Sequence, residues 1–107
     1  MQNTYESFRE ATDEEIEQIK KMEERGHETA RAYLDFARNG DNEILVGYTE
    51  QGNFTMAHVA IGKIHYANFE IDRMVSGAAK KHPEDKREQS VGRKIALARA
   101  VKGNHLS

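Results

Sequence analysis

The residues of this chain best suited to chemistry lie near its end. Residues 91 to 103, VGRKIALARAVKG, place Arg93, Lys94, Arg99 and Lys102 among small and apolar side chains. Guanidinium groups grip phosphate or carboxylate through forked, charge-assisted hydrogen bonds, and lysine adds a compact point charge. On a helix, at about 100° per residue, Val91, Ile95, Leu97, Ala98 and Val101 gather on one broad apolar side that would meet a core. The opposite strip carries Ala96 and Ala100 one turn apart, edged by Arg93 and Arg99. Two alanines there would let a ligand come close to the backbone. With Ser90 as N-cap, the free N–H groups of Val91, Gly92 and Arg93 would also point at an anion, and Gly92 would allow its approach. The candidate anion-binding residues are therefore Gly92, Arg93, Lys94, Arg99 and Lys102. The same stretch also reads as an ordinary charged surface helix, since alanine is the best helix former.

Other chemistry finds less support. The five histidines show no metal-ligand spacing: His58 and His65 fall on different expected elements, and no H-E-x-x-H occurs. No metal and no cofactor are expected. His58 reads as a half-buried strand histidine able to titrate near neutral pH. Ser7, Ser76, Ser90 and Ser107 sit in no nucleophile elbow or triad-like context, and no glycine-rich phosphate loop is present, so no enzymatic activity is expected. Adjacent carboxylates such as Glu14 with Glu15, or Glu23 with Glu24, read as solvated surface.

A chain of 107 residues without a long linker points to a single domain over residues 1–107 with a small core. A mean hydropathy of −0.84 makes that core small for the length, which favours a homo-oligomer. With no cysteine, disulfides and thiolate metal sites are excluded. No apolar run approaches the roughly 18 residues of a membrane span, and MQNTYESFRE lacks the features of a secretory signal. The expected setting is the cytoplasm, with no membrane partner. Charge is uneven: residues 1–38 carry ten acidic and six basic side chains, residues 39–79 five and two, and residues 80–107 three and eight. That asymmetry suggests either a basic binding surface or acidic and basic segments that pair with each other.

The elements that must position these residues follow from patterning. Thr12 and Glu15 have capping-box spacing, and Asp13, Glu14 and Glu15 suit a helix N-terminus. Ile16, Ile19, Met22, Gly26, Ala30, Tyr33, Leu34 and Ala37 form one helical stripe that Asn39-Gly40 ends. Gly26 leaves open whether this is one long helix with a weak point or two. EILVGYT and FTMAHVAIG around EQGN read as a β-hairpin. Beyond Gly62, Ile64, Ala67, Ile71, Met74, Val75 and Ala78 fit a helical face better than a third strand. The polar connector KKHPEDKREQS leads to a last helix from Pro83 or Ser90 to Lys102. The expected fold is α+β: an N-terminal long helix, a β-hairpin and two C-terminal helices.

In SGAAKKHPEDKREQSVGRKIALARA, G-x-A precedes P-x-D and is followed by G-R-x-I-A-L-x-R-A. This pattern, over residues 77 to 100, resembles the C-terminal segment of small accessory proteins carried by bacteriophages and prophages. Such proteins include anti-defence sponges that trap cyclic nucleotide signals between the subunits of an oligomer and hold their phosphates with arginines. The resemblance implies that Arg93 and Arg99 are the phosphate-holding pair, with Gly92 giving backbone access. It also implies a non-enzymatic phage-type accessory or anti-defence protein that binds a host protein or a small phosphorylated ligand in the host cytoplasm. Two alternatives stand beside it. One is a nucleic-acid-binding regulatory protein using Lys80, Lys81, Lys86, Arg87, Arg93, Lys94, Arg99 and Lys102, although the basic segment lacks aromatics for base stacking. The other is a protein-interaction module docking through its acidic N-terminal helix.

Overall fold

The computed structural model describes residues 8–40, 42–65, 68–80 and 89–102. Within them the chain runs β1 (Arg9–Glu10), α1 (Asp13–Glu24), α2 (Glu28–Asn39), β2 (Glu43–Gln51), β3 (Phe54–His65), β4 (Asn68–Lys80) and α3 (Gln89–Lys102). The four strands form one sheet in the order β1-β2-β3-β4, every neighbour antiparallel. The architecture is α+β, but its order is helix, helix, strands, helix. This corrects the expected long first helix, lone hairpin and two C-terminal helices.

The first helix begins at the capping box. Glu15 N–H donates to Thr12 Oγ1 at 3.2 Å, and Thr12 N–H donates to Glu15 Oε1 at 2.8 Å. It stops at Gly26, where φ is +92°. There Gly26 N–H bonds to Glu23 O (2.9 Å) and His27 N–H to Met22 O (3.2 Å). Those two bonds are a Schellman closure, and glycine takes its left-handed position without steric cost. The apolar stripe is thus divided between two helices. Ile19 and Met22 of α1, with Ala30, Tyr33 and Leu34 of α2, enter the same core.

β2 and β3 pair from Glu43↔Gly62 to Gln51↔Phe54, so the connection is only Gly52-Asn53. Residues 68–80, expected to be helical, form β4 along β3. The misleading signal has a local cause. A register irregularity between Ile61↔Arg73 and Gly62↔Ile71 leaves Asp72 as an extra residue. A bulge of this kind puts Ile71 and Met74 opposite Gly62 and Ala60, on one face, at a spacing of three that imitates a helix.

The helices cover one face of the sheet. Ile44, Val46 and Tyr48 of β2, and Ala57, Val59 and Ile61 of β3, meet Leu97 and Val101 of α3 in a single cluster with the α1 and α2 residues. The opposite face carries His58 and Ser76, together with Phe54, Ile71 and Met74, which remain 46%, 40% and 52% exposed. α3 crosses β4 at Gly77. A Cβ on Gly77 would collide with the backbone of Ala96, Arg99 and Ala100. Ala96 and Ala100 are 0% and 1% exposed, so the space expected beside them for a ligand is filled by the strand. The described part of α3 is Gln89–Lys102, in which Ser90 is helical and therefore not its N-cap; Pro83 lies outside the described residues.

This backbone-to-backbone contact predicts that Gly77→Ala lowers stability by about 2 kcal/mol through overpacking. A urea titration followed by circular dichroism checks it: the midpoint should fall while the native spectrum keeps its helix and strand signature.

Candidate functional site: an arginine, tyrosine and glutamate cluster between the sheet and α1

Tyr48 lies in β2 on the helix-facing side and is 5% exposed. A buried phenol needs a partner, and its O–H donates to Glu15 Oε2 at 2.6 Å. Glu15 stands in the first turn of α1, where the capping box already aims its carboxylate back at the chain. Arg9, in β1, completes the arrangement with Nη1 to Oε1 at 2.8 Å and Nη2 to Oε2 at 2.9 Å. The carboxylate therefore accepts four hydrogen bonds, from Arg9 twice, Tyr48 and the Thr12 N–H.

Burial by itself would raise the Glu15 pKa. The bonds from Arg9, Tyr48 and Thr12, with the Arg9 charge, outweigh that and bring it down from 4.5 to about 2. The Tyr48 phenol is pushed up, first by burial and then by donating to the Glu15 carboxylate.

α3 supplies the other side of the cluster. The Arg93 guanidinium carbon lies 4.6 Å from the centre of the Tyr48 ring, and that of Arg9 lies 6.0 Å from it. Both distances suit cation–π attraction. Arg93 also bonds Glu50 Oε2 through Nη2 at 3.2 Å and Nε at 3.4 Å. Gln18 Nε2 donates to the Lys94 carbonyl at 2.6 Å and ties α1 to α3. Between these groups lies a small cavity of about 190 Å³ lined by Arg9, Thr12, Glu14, Glu15, Gln18, Tyr48, Arg93 and Lys94.

Of the five candidate residues, Arg93 and Lys94 line this cavity. Gly92 faces Thr55 of β3, with room for a Cβ 3.5 Å from its hydroxyl. Arg99 is elsewhere: its Nη1 donates to the Ala78 carbonyl of β4 at 2.8 Å. Lys102 is exposed in the last turn of α3. The helix thus sends its two arginines to different strands. Arg9, Glu15 and Tyr48 were not among the sequence candidates. Glu15 was read as a capping residue and, with Glu14, as solvated surface; its burial at 8% exposure corrects the second reading, and nothing local in the chain signals that Arg9 or Tyr48 meets it.

On the opposite sheet face His58 bridges two hydroxyls, Nδ1 to Ser76 Oγ at 2.8 Å and Nε2 to Thr49 Oγ1 at 3.0 Å. Burial lowers its pKa. A neutral ring donates to one hydroxyl and accepts from the other, which makes a cross-strand polar ladder. The serine that looked isolated in sequence is therefore beside a histidine, whose other ring nitrogen meets the Thr49 hydroxyl. Among the described residues no group of three or more His, Asp or Glu is placed to hold a metal ion, and no helix is long and apolar enough to cross a membrane. Comparison of the chain with protein-family models, curated proteins and solved structures found no match.

Because folding depresses the Glu15 pKa, its contribution is fully present above about pH 4.5 and is lost as pH falls toward 2. The contribution is on the order of 3 kcal/mol. Denaturant titrations across this range should show that loss in the wild-type chain. In Glu15→Gln, stability should start lower and change much less with acid.

Proposed function

We propose that this protein acts by binding, without catalysis, and that the cavity between α1, β2 and α3 receives a phosphate or carboxylate group. The observation that supports this reading most directly is that Arg9, Arg93 and Lys94 line one cavity beside the Tyr48 ring. Arg9 is committed to Glu15 and acts mainly as fixed positive charge. Arg93, 29% exposed and paired with Glu50 at 3.2 Å, is the gripping group that reaches the cavity from α3. An incoming anion competes with Glu50 for a guanidinium that Tyr48 already holds in place, so little side-chain freedom is lost on binding.

The cavity volume suits one phosphoryl or carboxylate group, with the rest of the ligand lying outside; sites that enclose a drug-sized molecule are larger. The pattern over residues 77 to 100 supports a phage-type accessory or anti-defence setting in the host cytoplasm. There the ligand would be a phosphorylated signal or an acidic group on a host factor, and a homo-oligomer would present several such cavities together.

A thermal-shift screen with phosphate, mononucleotides and cyclic nucleotides tests the reading through the linkage of binding to folding. A phosphorylated probe should raise the wild-type Tm. Arg93→Ala combined with Lys94→Ala should abolish that rise while circular dichroism shows an intact fold. Arg99→Ala should leave the ligand response unchanged, because Arg99 serves the β4 edge. An undiminished response in the Arg93/Lys94 variant would overturn the assignment, and retention on heparin that falls steeply with salt would favour nucleic acid instead.

A further inference from the structure

A second depression, of about 290 Å³, adjoins the Arg93 cavity in the groove between α1 and α3. Glu14, Gln18 and Lys94 line both, so the Gln18–Lys94 hydrogen bond is part of the wall they share. Beyond that wall stand Glu17 and Lys21. Glu14, Gln18 and Lys21 are spaced by four and three residues and therefore share one face of α1. The lining of this second depression contains no aromatic and no wholly apolar side chain. Its two carboxylates and two ammonium groups leave it without net charge. Among the described residues the side chains of Glu14, Lys21 and Lys94 have no hydrogen bond or ion pair, and Glu17 has only Lys20, at 3.9 Å on the surface. The one aromatic ring nearby, Tyr48, is 5% exposed and already lies under Arg93.

We propose that the anion held at Arg93 is the phosphate of a phosphorylated sugar, and that the sugar lies across the Gln18–Lys94 wall in this second depression. The inference rests on the anion-binding reading above and names the body that carries the anion. A hydroxyl group both donates and accepts, so a polyhydroxyl body suits a lining of mixed acceptors and donors: it donates to Glu14 and Glu17 and accepts from Lys21 and Lys94. A nucleobase would find no ring or apolar surface on which to stack. A second phosphate would meet Glu14 and Glu17 as well as Lys21, and an ammonium group would meet both lysines.

Isothermal titration of the full chain with inorganic phosphate, glucose 6-phosphate and AMP tests the proposal. Glucose 6-phosphate should bind about tenfold more tightly than phosphate, from two or three added hydrogen bonds, and AMP no more tightly than phosphate. Glu17→Ala combined with Lys21→Ala should bring glucose 6-phosphate down to the affinity of phosphate. Both positions are exposed on α1, and the pair leaves the net charge unchanged, so phosphate itself should stay within about twofold of wild type. Should the double variant not fold, Lys21→Gln carries the same test. If none of the three compounds binds, the anion-binding reading fails and this inference with it. If phosphate binds, the inference alone is overturned when glucose 6-phosphate gains nothing over it, when AMP binds as tightly as glucose 6-phosphate, or when the gain survives in a folded variant.

Discussion

The structure depends most on one buried carboxylate. Glu15 lies 8% exposed at the N-terminal turn of α1, where an unpaired charge would be prohibitive. Four hydrogen bonds make it tolerable, and their three donor residues tie down different parts of the chain. The Thr12 bond closes the helix cap. The Arg9 pair holds β1, a strand of only two residues, to the rest of the fold. The Tyr48 bond satisfies a phenol that the sheet has buried. Removing the carboxylate would loosen an edge strand, a helix start and a core tyrosine together, and with them the platform on which Arg93 rests.

A second constraint sets where α3 can lie. Gly77 on β4, with Ala96 and Ala100 on the helix, brings the two backbones into direct contact. This close approach fixes the rotation of the helix: Leu97 and Val101 enter the core, Arg93 reaches toward β2, and Arg99 turns to β4. β4 is an edge of the sheet, and open edges invite pairing with other chains. Arg99, bonded to the Ala78 carbonyl, and the bulge at Asp72 both make that edge a poorer template. The arginine that sequence spacing paired with Arg93 thus has a structural task of its own.

Two of the depressions on the molecule differ in their lining. One gathers cationic side chains around an aromatic ring that is anchored from below by Glu15. The other lies at the C-terminal end of α2 beside Phe36 and Asp35, whose carboxylate pairs with Arg38 at 3.4 Å. Both are lined by side chains from more than one element or turn and are held by the packing of the helices on the sheet. The His58 ladder on the far face joins three strands through hydroxyls.

Where a feature depended on residues adjacent in the chain, the sequence was sufficient. The Thr12–Glu15 cap, the hairpin around Gly52-Asn53 and the placement of Leu97 and Val101 in the core all follow from short-range spacing, because a cap, a tight turn and an amphipathic face are local objects. Three matters were settled only by the structure, the first of them through local backbone bonds. Gly26 was compatible with a weak point or a stop, and the Schellman closure made it a stop. Residues 68–80 carried a helix-like spacing because a bulge, which exists only against β3, puts Ile71 and Met74 on one side. The alanine strip of α3 looked like room for a ligand until Gly77 occupied it. The cluster itself draws residues 9, 15, 48 and 93 from four elements, and no local pattern encodes a meeting across such separations; it arises only when the helices dock on the sheet and a buried carboxylate must find its donors.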